Sequence, residues 1–499
     1  MKPATTAGRG IRRSVVHSIS RTSDKAILAV SLRVVAGLCT AALLTSCVHY
    51  EARPLFPAQT AASLETRSLS SPKLRQFLTN SLGHDFAEWP PKTWDFETLT
   101  WVAFHFHPSL DVARAQWDVA RGGIKTAAGR PNPTVSATPG YNFNAASGVS
   151  PWFPGLTVDV PVETAGKRGK RIAQSRFIAE AAHQNVFTAA WLVRAELRRA
   201  LLDLTSADRR AHSLRDQAAL QRSMVEMLEQ RRQAGAISGL EVSTVRVALA
   251  KAEAEAGNAE RMAATTRSRL AQALGVPLAT LDGQRFDTPF AVSAPSLSRE
   301  ALAAARRQSL QSRPDILAAL AAYEASQAAL QLEIAKQYPD VRLGSGYQWD
   351  QGDNKWNLAV TLDLPLFNRN EGPIAEAGAK RREAATQFIA AQARVIGELD
   401  AATAERSAAS GQIDGLEKVT AELKKQAGLI ELQIKAGAAD QVESLGAQLE
   451  LGVTKLALLD AQAKAALAAG QLEDALRIPF TNLQSVENNP RPTVHSQIP

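Results

Sequence analysis

Apolar and polar side chains alternate with a period of two in four short segments of this chain, which is the pattern of strands with one apolar face. In the runs 156–162 and 358–366 every second residue is valine or leucine, and the residues between them are mostly polar or small. Weaker alternating runs precede these two, at 135–143 and 341–349. The pattern predicts strands at about 133–144, 154–163, 339–350 and 355–366.

The second pair of predicted strands repeats the first. Residues 132–141 (NPTVSATPGY) align with 338–347 (YPDVRLGSGY), 206 positions later, and 157–162 (TVDVPV) align with 361–366 (TLDLPL), 204 positions later. Each pair lies between Ala-rich segments with helical spacing. The chain therefore repeats one helix–strand–strand–helix unit, over 95–285 and again over 286–480.

Strands of this length, apolar on one face and polar on the other, are typical of a barrel with lipid outside and a wet lumen inside. Asp159 and Asp363 fall on the polar, lumen-side face. Aromatic side chains gather toward the strand tips, as in an interfacial girdle: Tyr141, Phe143, Trp152, Phe153, Tyr347, Trp349 and Trp356. Four strands cannot close a barrel, so several chains would share one. A soluble sandwich with one buried face gives the same alternation and remains an alternative.

Long helices follow each strand pair. From 169 to about 232 and from 373 to about 435 the chain is rich in Ala, Leu, Gln, Glu and Arg. These segments predict helices of about 90 Å at 1.5 Å per residue, far longer than ordinary globular helices. Each ends at an Ala-Gly-Ala turn, with glycine suited to a left-handed cap, and helices at about 238–274 and 440–476 return.

The N-terminus carries an export signal. A basic segment precedes an apolar stretch, 34–44, that is too short to span a bilayer as a lone anchor. It ends in Leu44-Thr45-Ser46-Cys47, which resembles the lipobox at which bacterial lipoproteins are cleaved and acylated. We therefore predict a lipoprotein signal peptide at 1–46, a lipidated Cys47 and a tether at 47–94. An ordinary secretory signal with an incidental cysteine is the alternative.

The net charge changes once this signal is removed. The chain has 57 Lys+Arg and 49 Asp+Glu, of which residues 1–46 hold seven and one. The remainder is thus close to neutral, and a nucleic-acid partner has no electrostatic support. His105 and His107 form a His-x-His pair without the third and fourth donors of a metal site. No cofactor-binding, metal or catalytic motif is predicted, and the tail at 481–499 is polar.

The lipobox, the duplicated Pro-x-Val strand starts, the Asp-x-Pro strand ends and the Ala-Gly turns together resemble the outer membrane factor (TolC-type) efflux proteins, lipoprotein branch. The resemblance implies a mainly α chain whose helices form a long periplasmic coiled-coil α-barrel. It implies a homotrimer, in which four strands per chain contribute to a shared 12-stranded barrel in the outer membrane. It further implies a passive exit duct, not an enzyme, coupled to a periplasmic adaptor and an inner-membrane pump of the RND type.

The resemblance also assigns roles to residues. Gly235, Ala236, Gly437 and Ala438, at the turns, correspond to the periplasmic tips that meet the adaptor. Six residues beyond each glycine, Glu241 and Glu443 are candidates for carboxylates at the periplasmic aperture; solvated helix-surface charges are the alternative. The competing function is a lipid-anchored periplasmic coiled-coil scaffold without a pore. No motif identifies the cargo as metal ion, drug or polypeptide.

Overall fold

The computed structural model describes residues 48–287 and 298–479. The predicted signal peptide, Cys47 and the C-terminal tail therefore lie outside the described residues. The chain divides into two compact units between Ser63 and Leu64. In the first unit, residues 48–63 are exposed and include most of one short helix; the elements after Leu64 belong to the second. Among the described helices, none is both long enough and apolar enough to cross a membrane.

The helices and strands follow one another in an order that repeats. They are α1 (Pro57–Glu65), α2 (Pro72–Leu82), β1 (Thr93–Trp94), α3 (Phe96–Phe106), α4 (Pro108–Ala128), β2 (Thr134–Thr138), β3 (Gly155–Val162), α5 (Lys167–Gln233), α6 (Gly239–Leu274), β4 (Arg285–Phe286), α7 (Arg299–Ser312), α8 (Pro314–Ala335), β5 (Val341–Asp350), β6 (Asp353–Leu362), α9 (Glu371–Lys435) and α10 (Gln441–Leu476). A short 3₁₀ turn, Leu278–Leu281, follows α6.

The long helices agree with the predicted ones to within two or three residues. Helix α5 has 67 residues and α9 has 65, so each is close to 100 Å long. Helix α6 packs along α5, and α10 packs along α9. The shorter helices α4 and α8 both lie against α5, and α8 also packs against α9. The two copies of the repeat are joined directly where α10 packs on α5.

Two apolar cores hold the bases of the helix pairs. The first is built around Leu99, Leu197, Leu201, Leu270 and Leu274, and residues from α2 and Trp94 close it. The second, in the other copy, is smaller and contains Ile316, Val395, Leu399, Leu472 and Leu476. Leu197, Leu270, Leu274, Val395 and Leu476 are fully buried. Both cores lie toward the C-terminal ends of α6 and α10, away from the helix tips, and neither core extends to the tips.

A sheet of four antiparallel strands, in the order β2-β3-β5-β6, connects the copies. Two strands are shorter than predicted. Strand β2 ends at Thr138 instead of about 144, but pairing in the same register continues beyond it, through the N–H of Phe153 to the carbonyl of Gly140 and an isolated bridge between Tyr141 and Trp152. Strand β6 ends at Leu362 instead of 366, because β5, its one neighbour among the described strands, begins opposite it at Val341.

Candidate functional site

The sheet separates apolar from polar side chains across all four strands. The register pairs Val135 with Val158, Val160 with Leu343, and Leu343 with Val360, so these side chains share one face. The opposite face carries Thr157, Asp159, Arg342, Gly344, Gly346, Asn357 and Thr361. The alternation predicted from the sequence is therefore continuous over the whole sheet.

Asp159 lies in the middle of the polar face. Its carboxylate oxygen occupies the space beside Gly344, 2.7 Å from where a Cβ at that position would be. Asn357 covers Gly346 in the same way. The glycines of β5 thus make room for polar side chains from both neighbours. Asp363, the repeat equivalent of Asp159, lies one residue beyond the end of β6 and lines a cavity at the base of the sheet.

No residue in 48–287 or 298–479 covers the apolar face. Trp356, Leu358 and Val360 on β6 are 75, 79 and 59% exposed, and Val135 on β2 is 65% exposed. Strands β2 and β6 are also the two edges of the sheet, and each is paired on one side only among the strands that the structure describes. An exposed apolar face with two open edges is a surface that requires a partner.

The base of the sheet is fixed to the helices by a buried ammonium group. Lys167, at the start of α5, is 8% exposed, and its Nζ donates to the carbonyl of Tyr338 (2.6 Å) and to Asp340 (2.8 Å). Partial burial alone would raise the pKa of Asp340, but the hydrogen bonds from Lys167 and from the backbone N–H of Thr164 lower it overall. This pair joins the first copy to the second.

Arginines of the same cluster close helix α4. Arg168 donates to the carbonyl of Ala128, and Arg171 donates to the carbonyl of Ala127. Arg171 also forms a bidentate ion pair with Glu163. Cations at a helix C-terminus satisfy its last carbonyls and oppose its dipole. The basic run 167–171 therefore has a structural role.

The two helix tips are built alike. At the first, the N–H of Ala236 donates to the carbonyl of Arg231 and that of Gly235 to Arg232; at the second, Ala438 and Gly437 repeat the pattern. Gly235 and Gly437 have φ values of +74° and +72°, a left-handed conformation that glycine adopts without strain. All four predicted tip residues, Gly235, Ala236, Gly437 and Ala438, are exposed.

The carboxylates beyond the tips differ in their bonding. Glu241 closes a capping box with Ser238, accepting from its hydroxyl (2.8 Å) and its backbone N–H (3.2 Å). In the second copy the cap is Asp440, which accepts from the N–H groups of Val442 and Glu443. The carboxylates of Asp440 and Glu443 repel each other, whereas the hydroxyl of Ser238 attracts the carboxylate of Glu241. The exposed Glu443 side chain accordingly makes no hydrogen bond or ion pair with any described residue.

One ion pair joins the tips to each other. Arg231, in the last turn of α5, donates from both guanidinium nitrogens to Asp440, at 3.1 Å each. The hydrogen bond from the backbone N–H of Glu443 lowers the pKa of Asp440, and Arg231 lowers it further. No sequence pattern identifies this pair. An Asp just before a helix is a recognisable N-cap, but nothing in the sequence placed it opposite Arg231.

A second charged cluster joins the copies near the cores. Arg194 and Arg198 of α5 contact Glu473 at 2.7 and 3.6 Å, Arg198 lies 3.1 Å from Asp474, and both arginines stack on Phe96. Burial raises the pKa of Asp474. These contacts fix the base of α10 on α5.

The histidine pair has no metal-binding geometry. The Nδ1 of His107 lies 3.3 Å from the backbone N–H of Ser109 and caps α4, while the ring of His105 packs on Phe77. Burial lowers the pKa of both imidazoles. Over 48–287 and 298–479, no cluster of three or more His, Cys, Asp or Glu side chains could hold a metal ion.

The duplication, the open sheet and the paired helix tips have a counterpart among known proteins. A family model described as outer membrane efflux protein matches residues 103–276 and 305–476, which fall in the two copies of the repeat. This chain belongs to the outer membrane efflux protein family. The family predicted from the sequence is therefore confirmed, and membership favours a channel over a scaffold.

Individual proteins resemble this chain in sequence or in structure. The cobalt-zinc-cadmium resistance protein CzcC of Cupriavidus metallidurans is 25% identical over 288 residues, which cover 56% of this chain and 65% of that protein. The outer membrane protein VceC of Vibrio cholerae has a similar structure, with a TM-score of 0.62 and 21% identity over 77% of this chain and 96% of VceC. The outer-membrane channel OprN gives a TM-score of 0.65 and 20% identity, covering 87% of this chain and 99% of OprN. The predicted fold, mainly helical with four strands per chain, is confirmed.

Proposed function

We propose that this efflux-family protein is the outer-membrane channel of a tripartite efflux system, a passive trimeric exit duct. The observation that carries the proposal is the open four-stranded sheet, which has an uncovered apolar face, a polar face and two unpaired edges. Three such sheets joined edge to edge would provide twelve strands, an apolar exterior and a polar lumen. Helices close to 100 Å long would extend this lumen away from the membrane.

The experiment is fractionation followed by conductance. The full chain, expressed with its signal, should sediment with the outer membrane, migrate as a heat-labile trimer in detergent and pass ions in planar bilayers. A monomer that leaves the membrane when Cys47→Ala removes the acylation site, and that never conducts, would instead identify the lipid-anchored scaffold. Incorporation of labelled palmitate into wild type but not into Cys47→Ala tests the lipid anchor separately.

The helix tips are the proposed docking surface for the periplasmic adaptor. Gly235, Ala236, Gly437 and Ala438 are exposed and small, so a partner helix can approach the backbone closely. Ala438→Arg places a long cation on this surface at a position without special backbone geometry. We expect it to abolish co-purification of the adaptor while the trimer and its bilayer conductance persist. If the adaptor still co-purifies with Ala438→Arg, the helix tips are not part of the docking surface.

Divalent transition-metal cations are the cargo class that we propose. The name of the related CzcC refers to cobalt, zinc and cadmium, and carboxylates occupy the polar sheet face and the region beyond the tips. Deletion of the gene should increase sensitivity to Co²⁺, Zn²⁺ and Cd²⁺, and leave sensitivity to dyes and antibiotics unchanged. The reverse pattern would identify organic cargo.

A further inference from the structure

The internal duplication contains a template for contacts between subunits. Within the chain, β3 of the first copy pairs with β5 of the second over eight residue pairs, including Asp159 with Gly344. In a closed ring the equivalent junction joins β6 of one chain to β2 of the next. The repeat equivalent of Asp159 is Asp363, 204 residues later, and that of Gly344 is Thr138, 206 residues earlier. The equivalent of the Asp159–Gly344 pair is therefore Asp363 opposite Thr138.

Backbone hydrogen bonds give an independent test of this register. In an antiparallel sheet, successive residues direct their N–H and C=O groups to opposite neighbours. The N–H of Phe153 donates to the carbonyl of Gly140 (2.8 Å), so even-numbered residues of β2 bond to β3. The odd-numbered Val135 and Ala137 therefore face the open edge.

The other edge of the sheet has the complementary arrangement. The N–H of Trp349 donates to the carbonyl of Pro154 (3.1 Å), so odd-numbered residues of β5 bond to β3 and even-numbered ones to β6. Arg342 pairs with Thr361, which leaves even-numbered residues of β6 facing its open edge. In the register derived from the duplication, the odd-numbered residues of β2 that face its open edge lie opposite even-numbered residues of the β6 segment, as Ala137 lies opposite Leu364. Any slip by one residue would bring the wrong backbone groups together and reverse the faces.

The side chains beyond β6 fit this pairing. Leu364 and Leu366 continue the alternation of Leu358, Val360 and Leu362, yet they are 67 and 71% exposed. In the template register they face Ala137 and Val135 and extend the apolar face. Pro365 falls opposite Ser136, at a position whose N–H would point away from the new strand, so its missing donor is not needed there. Pro139 does forfeit one bond, opposite Leu362.

We propose that in the trimer β6 pairs antiparallel with β2 of the neighbouring chain, with Asp363 opposite Thr138, and that this pairing extends β6 from Leu362 to Leu366. The partner is a second copy of this chain, and the inference rests on the trimer proposed above. A consequence is that Asp363 enters the sheet on its polar face, at the level of Asp159. The three subunits would then place six carboxylates around one level of the lumen.

Engineered disulfides test the register. Thr138 and Asp363 would form a pair without mutual hydrogen bonds, with Cα atoms about 4.5 Å apart, inside the range that a disulfide spans. The full chain carrying Thr138→Cys and Asp363→Cys is treated with a mild oxidant in outer membranes and run without reductant. The matched controls are Thr138→Cys with Thr361→Cys and Thr138→Cys with Pro365→Cys, which report slips of two residues in either direction. Each single cysteine variant measures the background from Cys47.

We expect covalent dimers and trimers to form roughly ten times faster in the Thr138/Asp363 variant than in either control, since diagonal pairs are about 7–8 Å apart. Faster cross-linking of a control, in a protein that still migrates as a trimer when unheated, would overturn the register and leave the assembly intact. A disulfide confined to monomers would overturn the pairing with a neighbouring chain. Absence of any trimer, with or without cysteines, would overturn the proposed function itself.

Discussion

Arg231 and Asp440 join the two helix tips of the chain through a pair of 3.1 Å contacts between guanidinium and carboxylate. Both side chains are between a third and a half exposed, so the pair is worth no more than about 1 kcal/mol. A contact this weak can hold the tips together at rest and still be released by a docking partner.

Asp440→Asn separates this contact from the helix cap. Asparagine is as good an N-cap as aspartate, so α10 keeps its first turn while the charge that attracts Arg231 is lost. We expect larger and more variable single-channel conductance in planar bilayers, and a difference from wild type that shrinks as salt rises, because screening weakens the wild-type pair. Arg231→Gln should have the same effect, and the double variant no additional one. Additive effects would show that the two residues act separately.

Glu443 and Glu241 are predicted to differ although they occupy equivalent positions. Glu443 has no partner among the described residues, so Glu443→Ala should raise conductance and reduce cation preference if its three copies surround the aperture. Glu241 accepts two hydrogen bonds from Ser238, and Glu241→Gln keeps a side chain that can cap. The current through the Glu241→Gln variant should match that of wild type. Equal effects of both substitutions on reversal potential would mean that bonding does not distinguish them.

The sequence was sufficient for the repeat, the helices and the two sheet faces because each of these depends on a local period. Strand ends were less predictable. The regular strand β2 stops at Thr138, and beyond it the pairing with the segment before β3 is reduced to single hydrogen bonds and the bridge between Tyr141 and Trp152, which a local period does not predict. The bonds of Lys167 with Asp340 and of Arg231 with Asp440 were missed for the same reason, since they connect the two copies. Glu241 and Glu443 matched in the alignment, yet the residues three positions before them, Ser238 and Asp440, give them different surroundings.

The lumen carboxylates predict charge selectivity. Asp159 lies on the polar face of the sheet, and Asp363 joins it in the proposed trimer. Asp159→Asn and Asp363→Asn should each lower the ratio of cation to anion permeability, measured from the reversal potential in a KCl gradient, and the double variant should lower it further. Asp350→Asn, at the far end of β5 on the same face and paired with Lys355, is the matched control at another level and should change the ratio less. If Asp159→Asn lowers the permeability ratio and Asp363→Asn leaves it unchanged, β6 does not extend as proposed.

Lys167 and Asp340 predict an unequal response to neutralisation. The Lys167 side chain is 9% exposed and that of Asp340 is 43% exposed, so a charge left alone is more costly on the lysine. Asp340→Asn should therefore destabilise the protein by about 2–4 kcal/mol, and Lys167→Met by about 1–2 kcal/mol. The readouts are thermal unfolding by circular dichroism and the temperature at which the detergent-stable trimer dissociates. Lys170→Met, in the same basic run, should change either value by less than about 0.5 kcal/mol.

The same pair has a definite pH dependence. Because the pKa of Asp340 in the folded protein is below its ordinary value of 3.8, the stabilisation by the carboxylate is present above pH 3.8 and is lost as the pH falls through the lowered pKa. The free energy of unfolding of wild type should therefore exceed that of Asp340→Asn by a constant amount from pH 5 to 8, and the two values should converge below pH 3.8. A difference that instead grows on acidification would show that the carboxylate is not held in its ionised form by Lys167.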